Sequence, residues 1–421
     1  MKVLIVGSGG REHAIVKALK KSPKISKIYA APGNGGISCD AECVPIKAAD
    51  IRSMTEFAVK NKVDYVVVAP DDPLALGMVD ALEAERIRCF GPNKSAARIE
   101  SSKIFAKDLM KKYGIPTAAY ESFSAADEAQ DYICSNKVKF PLVIKADGLA
   151  LGKGVIIAND KPQAMETIID LMMNKRFGES GKSIVVEEFL TGPEVSVLAF
   201  TDGKTVKPMI SSMDHKKAFD NNTGPNTGGM GVIAPNRHYT DEIAELCEKT
   251  IYIPTIKAMK ENGYPFKGCL FFGLMLTEQG PKVIEYNCRF GDPEAQAVLS
   301  LLETDLFDIM TAVTDEKLDS IDIKWKNQHA ACIILSSGGY PSSYKTGFEI
   351  IGLNPNGGAE DCIVYHSGTE YKNGKFFTAG GRVLGVTGIG LTLKDTCEKA
   401  YKSAQNIKFE AKHYRNDIGK Y

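Results

Sequence analysis

Apolar and polar positions follow two different patterns along the first hundred residues. Apolar runs typical of buried strands lie at Val3–Val6, Ile28–Ala31, Tyr65–Ala69 and Ile87–Phe90. The stretches between them are amphipathic or polar, as at Glu12–Lys21 and Met54–Lys62. Strand patterns that alternate with helix patterns are typical of a parallel sheet with helices on its faces. The pattern therefore predicts one α/β domain over residues 1–103.

The pattern changes near Ser101, where a helix is predicted at Lys103–Tyr113. An antiparallel, hairpin-rich region follows, with strands predicted at Pro141–Lys145, Val155–Ala158, Ser183–Phe189, Glu194–Phe200, Cys269–Leu276 and Lys282–Tyr286. The segment Asp214–Met230 is polar and rich in Gly and Asn, which predicts a long functional loop. From about His329, short strands and many glycines predict a small third unit.

Composition limits the kind of protein that these elements build. A chain of 421 residues is long enough for two to four domains. Lys+Arg and Asp+Glu both number 52, so an anionic substrate needs a local cluster of cations. The same balance excludes the broad basic surface of a nucleic-acid-binding protein.

Cysteine usage and hydropathy point to a cytoplasmic location. Ten cysteines are scattered without paired metal-ligand spacing, which predicts free thiols in a reducing compartment. Met1–Gly10 contains four consecutive apolar residues, too few for a secretory signal. No stretch reaches the roughly 18 apolar residues of a membrane helix. We therefore expect no membrane and no nucleic-acid partner.

The first glycine turn, Gly7–Arg11, fits a strand followed by a tight turn and a helix start. Such a turn presents backbone N–H groups and the positive end of a helix to an anion. The third glycine of a dinucleotide-binding fingerprint is missing. Anion binding therefore stands beside the alternative of a structural turn that binds nothing.

A second glycine-rich loop runs from Lys145 to Gly154, between two predicted strands. Its position between strands excludes a Walker P-loop, despite Gly152 and Lys153. A glycine hairpin that carries lysines can fold over a nucleotide, because no Cβ keeps its backbone from phosphate oxygens. Lys145, at the end of a strand, could place an ammonium group on the phosphates. The alternative is an ordinary exposed hairpin.

The predicted strand Lys282–Arg289 carries residues suited to a metal site. Glu285 and Asn287 share one face, roughly 7 Å apart by strand rise. A carboxylate and an amide oxygen suit magnesium held together with phosphates better than zinc. If the strand continues, Arg289 shares that face and can meet developing phosphoryl charge. The alternative is a solvated sheet face, and Cys288 on the opposite face is expected to be buried.

Several of these motifs resemble those of ATP-grasp ligases, namely the Lys145 hairpin, Glu187–Leu190, Glu194 and Glu285–Glu294. Three further segments are similar to the phosphoribosylamine–glycine ligase family, namely Gly7–His13, Asp214–Gly231 and Gly380–Leu384. The resemblance extends from Val3 to the final Tyr-Arg-Asn-Asp-Ile. It implies a multidomain α/β and α+β fold. A Rossmann-like domain at 1–103 precedes a split ATP-grasp domain at 104–328, with a mobile subdomain at about 120–190, and a C-terminal domain at 329–421.

The resemblance also implies a set of site residues. Those expected to bind ATP are Lys103, Lys145, Gly152, Lys153, Gly154, Glu187, Glu188, Phe189, Leu190 and Glu194. Glu285 and Asn287 are expected to hold Mg²⁺ or Mn²⁺. Residues expected at the acyl-transfer centre are Asp214, Asn226, Thr227, Arg289 and Asp292. Those expected to hold the ribose phosphate are Gly9, Gly10, Arg11, Arg382 and, as a weaker candidate, Lys345.

The reaction that the resemblance implies joins glycine to 5-phosphoribosylamine with ATP, through glycyl phosphate, in purine biosynthesis. A monomer or weak oligomer is expected. Ala69-Pro70-Asp71 departs from the family's Gly-Pro-Glu and shortens one side chain. His215 is either a general base or a loop residue. The competing functions are another ATP-grasp enzyme such as a biotin carboxylase, a nucleotide sensor without turnover, and an NAD-dependent dehydrogenase.

Overall fold

The computed structural model describes residues 1–135, 137–149 and 154–420. Its first unit is a parallel sheet with strand order β3-β2-β1-β4-β5. The strands are β1 (Lys2–Gly7), β2 (Lys27–Pro32), β3 (Glu42–Cys43), β4 (Tyr65–Val68) and β5 (Arg88–Phe90). The helices of this unit are α1 (Gly10–Leu19), α2 (Ile51–Lys60), α3 (Asp71–Leu76), α4 (Met78–Ala84) and α5 (Lys94–Ser101). β1 and β4 are buried on both faces, because helices cover the sheet, and this confirms the predicted α/β unit.

An antiparallel unit follows the helix α6 (Lys103–Tyr113), which Ser102 caps by accepting a hydrogen bond from the N–H of Phe105. Its sheet has the order β6-β9-β7-β8. The elements are β6 (Tyr120–Phe123), α7 (Ala126–Cys134), β7 (Leu142–Ala146), β8 (Val155–Ala158), α8 (Lys161–Ile168) and β9 (Ile184–Glu188). One hydrophobic cluster, including Ile133, Ile144 and Leu171, belongs to this unit alone. The unit therefore packs as a body of its own.

The central part of the chain builds a second antiparallel sheet, of order β11-β10-β16-β17. The strands of this region are β10 (Glu194–Asp202), β11 (Val206–Pro208), β12 (Met213–Asp214), β13 (Lys217–Phe219), β14 (Thr223–Asn226), β15 (Gly231–Ala234), β16 (Lys267–Thr277) and β17 (Gly280–Asn287). Its helices are α9 (Asp241–Cys247), α10 (Ile253–Glu261), α11 (Glu294–Val298) and α12 (Leu306–Thr314). The predicted hairpin at 269–286 is confirmed by the antiparallel pairing of β16 with β17.

The segment Asp214–Met230, predicted as a long functional loop, contains some regular structure. β13 and β14 pair there as a small antiparallel hairpin. Asn221 and Asn222 close it with positive φ angles of 59° and 53°. Asparagine tolerates this left-handed backbone better than most residues, so a polar Asn-rich segment can form a tight turn.

The C-terminal part shares a sheet with the centre of the chain, in the order β12-β15-β18-β23-β20. Its elements are β18 (His329–Ser336), β19 (Glu349–Ile350), β20 (Ile363–His366), β21 (Thr369–Lys372), β22 (Lys375–Thr378), β23 (Arg382–Gly390) and α13 (Leu393–Asn406). β19, β22 and β21 form a separate small sheet. A single core cluster joins Val3, Phe290 and Ala330, so the N-terminal, central and C-terminal parts pack against one another.

Short helical turns complete the described chain. Turns of 3-10 type lie at Ile37–Cys39, Gly178–Gly181, Asp220–Asn222, Leu299–Leu301 and Leu318–Ser320, and π turns at Ile169–Met173 and Glu248–Tyr252. Among the helices of the described residues, none combines the length and the apolar character that crossing a membrane requires.

Candidate active site

A cluster of cations surrounds Glu285 on β17. Burial alone would raise the pKa of the Glu285 carboxyl, but Lys216, Lys145, Lys103 and Arg289 together hold it below its ordinary value. The four cations come from separate parts of the chain, which the fold brings to one place. A site that holds one ionised carboxylate among four cations is suited to a polyanion and a metal ion.

Lys145 is the next-to-last residue of β7 and reaches across to β17. Its ammonium group donates a hydrogen bond to the carbonyl of Ile284 at 2.9 Å. The same group lies 3.0 Å from Oε1 of Glu187. The other carboxylate oxygen of Glu187, Oε2, lies 3.0 Å from the ammonium of Lys107. The lysine strand and the carboxylate strand therefore meet in one cleft.

Lys103 is the first residue of α6 and contacts the base of the glycine-rich hairpin. Its ammonium donates to the carbonyl of Gly148 at 2.8 Å, and the N–H of Ile104 donates to Oδ1 of Asp147 at 3.1 Å. Asp147 thus satisfies a free donor at the start of α6. The carbonyl of Gly154 accepts a bond from Ala146 at 2.9 Å. Gly152 and Lys153, both predicted to bind ATP, lie outside the described residues.

The predicted adenine segment starts where β9 ends. The Glu188 carboxylate accepts from the N–H of Ala119 at 3.0 Å and from Lys282 at 3.2 Å. Phe189 and Leu190 continue past the strand, and Phe189 is 38% exposed. The flat apolar side chain of Phe189 and the backbone groups of Phe189 and Leu190, which lie outside the strand, can contact an adenine base. The Glu188 side chain already has partners.

Lys216 is a further cation of the site, beyond those that the sequence predicts. Its ammonium lies 3.3 Å from Oε2 of Glu194 and 4.0 Å from Oε1 of Glu285. It therefore links the carboxylate predicted to hold the ribose to the one predicted to hold a metal. Thr227 fixes this segment, because its hydroxyl donates to the carbonyl of Lys216 at 2.8 Å and accepts from Gly229 at 3.0 Å. The polar Asp-His-Lys-Lys run at 214–217 was the signal that could have identified Lys216.

The half-buried Asp214 and the buried Glu294 form an acidic pair near this cation. Burial and the neighbouring Glu294 raise the pKa of Asp214 well above its ordinary value. Burial also raises the pKa of Glu294, which accepts a bond from Ser196 at 3.2 Å. Oδ1 of Asp214 is buried and has no hydrogen-bond partner among the described residues. Asn226, predicted beside them, is exposed on β14. The pair can therefore hold a proton at a higher pH than ordinary carboxyl groups do.

β17 ends at Asn287, so the strand does not continue to Arg289. The condition for a face shared by Glu285 and Arg289 is therefore not met, although Arg289 still lies close enough to lower the pKa of the Glu285 carboxyl. The guanidinium lies 3.0 Å from Oε1 of Glu100 and 3.6 Å from Oδ2 of Asp71. Its Nε is buried without a partner among the described residues, which leaves one donor for a ligand. Cys288 is buried, as expected.

Asp292 brings together the residues predicted to hold the ribose phosphate. Its Oδ2 accepts from the N–H of Arg11 at 3.3 Å. Its Oδ1 lies 3.4 Å from Nη1 of Arg382, which also donates to the carbonyl of Asp292 at 2.7 Å. A Cβ on Gly9 would lie 3.1 Å from Oδ2 of Asp292, so a side chain would crowd this approach. Lys345 is exposed and makes no ion pair within the described chain.

Gly10 packs at the same junction between the N-terminal and central parts. A Cβ there would lie 2.4 Å from Nε2 of Gln296 and 2.7 Å from Oγ of Ser367. Gln296 donates to Oδ1 of Asp292 at 2.8 Å. The first glycine turn therefore makes room for side chains that orient Asp292.

His215 serves the loop. Its ring Nδ1 lies 3.2 Å from the carbonyl of Gly231, and burial with the nearby Arg415 lowers its pKa to about 4. His13 is also buried and contacts Asp40 and His366. These contacts favour the loop role for His215 and a structural role for His13.

The site offers a metal ion a small number of oxygen ligands. No group of three or more His, Cys, Asp or Glu side chains able to hold a metal ion occurs in the part of the chain that the structure describes. Glu285 and Asn287 offer a carboxylate and an amide oxygen. Magnesium is commonly bound by one or two such groups together with substrate phosphates, so this donor set fits it.

Comparison with known proteins gives one consistent result. Three domain families match the chain in order, namely the N domain of phosphoribosylglycinamide synthetase at 1–100, its ATP-grasp (A) domain at 101–295 and its C domain at 330–421. The phosphoribosylamine–glycine ligase of Caldanaerobacter subterraneus subsp. tengcongensis is 48% identical over 419 residues, which is 99% of each chain.

Solved structures agree with the sequence comparisons. The crystal structure of phosphoribosylamine–glycine ligase from Thermotoga maritima has a TM-score of 0.88 and 33% identity, covering 99% of this chain and 100% of that one. A biotin carboxylase–ATP analogue complex from Campylobacter jejuni has a TM-score of 0.75 at 15% identity over 98% of this chain and 92% of that one, which shows a shared fold only. The chain belongs to the phosphoribosylglycinamide synthetase family of ATP-grasp ligases.

Proposed function

We propose that the chain ligates glycine to 5-phosphoribosylamine and so forms glycinamide ribonucleotide, ADP and phosphate in purine biosynthesis. The family match over almost the whole chain supports this reaction. The observation that carries it is the convergence of Lys103, Lys145, Lys216 and Arg289 on Glu285. Because phosphoryl transfer depends on positioning and charge neutralisation, this cluster suits a carboxylate that ATP activates.

ATP is assigned to the cleft between β7–β9 and β17. Lys103 and Lys145 contact the phosphates, and each exchanges a backbone carbonyl for a phosphate oxygen when the nucleotide enters. Glu187–Leu190 receive the adenine, and Glu194 binds the ribose. Oε1 of Glu187 lies 3.0 Å from the Lys145 ammonium but accepts no hydrogen bond among the described residues, so it can still accept one from the base. Gly152, Lys153 and Gly154 belong to the hairpin that covers the phosphates.

Glu285 and Asn287 are assigned to a divalent cation, Mg²⁺ or Mn²⁺. When bound, such a cation neutralises charge on the transferring phosphoryl group. Glu285 offers a carboxylate oxygen and Asn287 an amide oxygen, and cations of this kind prefer oxygen ligands to those of His or Cys. Lys216 lies close enough to Glu285 to offset part of its charge when the cation is absent.

The reaction is assigned two displacement steps. The glycine carboxylate attacks the γ-phosphorus, an O–P bond forms, and ADP leaves. The amine of phosphoribosylamine then attacks the acyl carbon, a C–N bond forms, and phosphate leaves with the acyl–oxygen bond electrons. Arg289 stabilises the charge that develops in both steps. Asp214 accepts the proton that the amine releases, since its raised pKa makes it a stronger base than an ordinary carboxylate.

Phosphoribosylamine is assigned to the junction around Asp292. Gly9 lies against this carboxylate, the backbone N–H of Arg11 donates to it, and the guanidinium groups of Arg382 and Arg11 help to lower its pKa. Gly10 packs beside it against Gln296. A phosphate that enters here displaces part of the Asp292 pairing and binds two guanidinium groups. Asn226 and Thr227 border the acyl-transfer centre. Lys345 stays a weak candidate because it is exposed.

The wider assignments follow from the family. We propose a division into 1–103, 104–328 with a mobile subdomain at about 120–190, and 329–421. The compact cluster that the subdomain packs for itself supports its mobility. We also propose a cytoplasmic monomer or weak oligomer that acts only on small molecules. Zero net charge accords with the absence of a nucleic-acid partner.

The test is a coupled assay for ADP with glycine and freshly generated phosphoribosylamine. Glu285→Ala should abolish glycine-dependent ADP formation, because the variant removes the metal-binding carboxylate. Glu278→Ala is the matched control, since Glu278 is exposed on the turn of the same hairpin. Near-wild-type turnover in Glu285→Ala would contradict the assignment. Turnover with bicarbonate in place of glycine would favour a biotin-carboxylase type of reaction, and ATP binding without turnover a sensor.

A further inference from the structure

Lys107 is a buried cation that the proposed chemistry does not use. Its side chain is 3% exposed, one helical turn after Lys103 on α6. The ammonium donates to the hydroxyl of Thr117 at 2.8 Å, and that hydroxyl donates to the carbonyl of Val283 at 2.7 Å. A lysine is rarely buried to this extent unless a carboxylate pairs with it. Its partner is Glu187, at 3.0 Å.

Glu187 is shared between two lysines. Oε2 faces Lys107 and Oε1 faces Lys145, each at 3.0 Å, and the three side chains are no more than 5% exposed. The carboxylate fixes the direction of the Lys145 ammonium, which also donates to Ile284. Two ammonium groups and one carboxylate leave this trio with a net positive charge.

The charge of Lys107 decides what a nucleotide phosphate would meet. With Glu187 and Lys145 alone, the pair would be neutral, and the attraction of Lys145 for an anion would be largely cancelled. One unit charge at roughly 10 Å and an effective dielectric constant near 20 changes the affinity for a charged ligand by about tenfold. Lys107 therefore lets Glu187 orient Lys145 while the trio keeps its attraction for phosphate.

We propose that Lys107 is a positioning residue for the nucleotide, which acts through Glu187 to keep Lys145 both oriented and effectively cationic. The proposal rests on the proposed nucleotide site. It predicts that affinity for phosphate follows the net charge of the trio, whereas affinity for the nucleoside part does not.

The surroundings of Lys107 support a dependence on pH. The charged and titratable groups that face it are Glu187 and Glu188 on β9, Lys145 on β7, and the ring of Tyr120 on β6, 5.7 Å away. Burial lowers the pKa of Lys107 to about 8, against the opposing pull of Glu187. Above that pH the trio loses its net charge, and binding of the phosphate groups weakens.

The experiment compares ADP with adenosine by isothermal titration calorimetry, in the presence of EDTA so that no metal contributes. The variants are Lys107→Met, Lys107→Arg, Glu187→Gln and the double variant Lys107→Met/Glu187→Gln. Adenosine lacks phosphates, so its Kd reports on folding and on the base site. The ratio of the two Kd values isolates the phosphate contribution.

The expected result is a loss of about tenfold in ADP affinity relative to adenosine in Lys107→Met. Lys107→Arg retains the ratio, Glu187→Gln increases the preference for ADP, and the double variant returns to the wild-type ratio because its net charge is restored. The affinity of the wild-type chain for ADP falls above pH 8, where Lys107 loses its charge. The affinity of Lys107→Met for ADP does not show this decrease.

Two results would overturn the proposal separately from the proposed function. One is an unchanged ratio of ADP to adenosine affinity in Lys107→Met, and the other is a double variant that stays as weak as the single one. If the wild-type chain bound neither ADP nor ATP, the nucleotide site itself would be wrong, and the role of Lys107 would fall with it.

Discussion

His13 joins helix α1 to strand β20 as a neutral imidazole. Its Nδ1 accepts a hydrogen bond from the N–H of His366 at 2.8 Å, and its Nε2 lies 3.1 Å from Oδ2 of Asp40. An imidazolium has no acceptor, so protonation at Nδ1 breaks the bond to His366. Burial lowers the pKa of His13 to about 4, although Asp40 acts in the opposite direction. Acid should therefore loosen this junction.

The size of the effect follows from the two pKa values of His13. The unfolded chain protonates the ring near 6.5, and the folded chain near 4. Between these values the unfolded state binds more protons, so the free energy of unfolding falls as the pH falls. The loss begins below pH 6.5 and is complete near pH 4. At pH 5 it amounts to about 2 kcal/mol for this single histidine, a large part of a total of roughly 5–15 kcal/mol.

Urea unfolding, followed by the fluorescence of the single tryptophan, Trp325, measures this loss between pH 7.5 and pH 5. In His13→Gln, the amide oxygen can accept from His366 and the amide N–H can donate to Asp40, but nothing titrates. The wild-type chain should lose about 2 kcal/mol more than this variant over the interval. His238→Gln, at an exposed histidine, is the control and should behave as wild type. Equal pH dependence in wild type and His13→Gln would refute the reasoning.

Two further predictions concern packing around the site. Gly10→Ala should lower the free energy of unfolding by about 1–3 kcal/mol, because its Cβ would lie 2.4 Å from Nε2 of Gln296, and Gln296→Ala in the same chain should recover part of the loss. Arg415→Gln should cost about 3–5 kcal/mol, because the fully buried Arg415 pairs with Asp417 at 2.7 Å. Urea unfolding checks both, and a loss in Arg415→Gln/Asp417→Asn as large as in the single variant would contradict the ion-pair explanation.

Local sequence patterns were sufficient for elements whose partners lie nearby. The apolar runs of β1 and β4 predicted a buried parallel sheet, and the turn at 278–280 predicted the β16–β17 hairpin. The sheet that joins β15 to β18 could not be predicted in this way, because its pairing residues Gly231 and Ile333 are far apart in sequence. A strand pattern states which face is buried, but it does not identify a distant neighbour.

The candidate site was predictable where residue type and strand position agreed. Lys145 and Glu285 were selected for these reasons, and the structure brings Lys145 against the neighbouring Ile284. Lys107 and Glu100 were not selected, because an isolated charge on a helix is normally solvated and only tertiary packing buries it. Whether the strand continues to Arg289 could not be predicted, because nothing in the sequence marks the end of β17 at Asn287.

The sheet shared by β12, β15 and β18 has a consequence for how the chain matures. β15 gains its second neighbour only when β18, which starts at His329, has been synthesised. The segment that carries Lys216 also waits for the tail, because Arg415 donates to the carbonyl of Lys217 and His413 contacts Ala218. A nascent chain that lacks these last ninety residues keeps an open strand edge, which invites pairing with other chains. The segment that carries Lys216 is therefore expected to reach its final position only after the C-terminal residues have been synthesised.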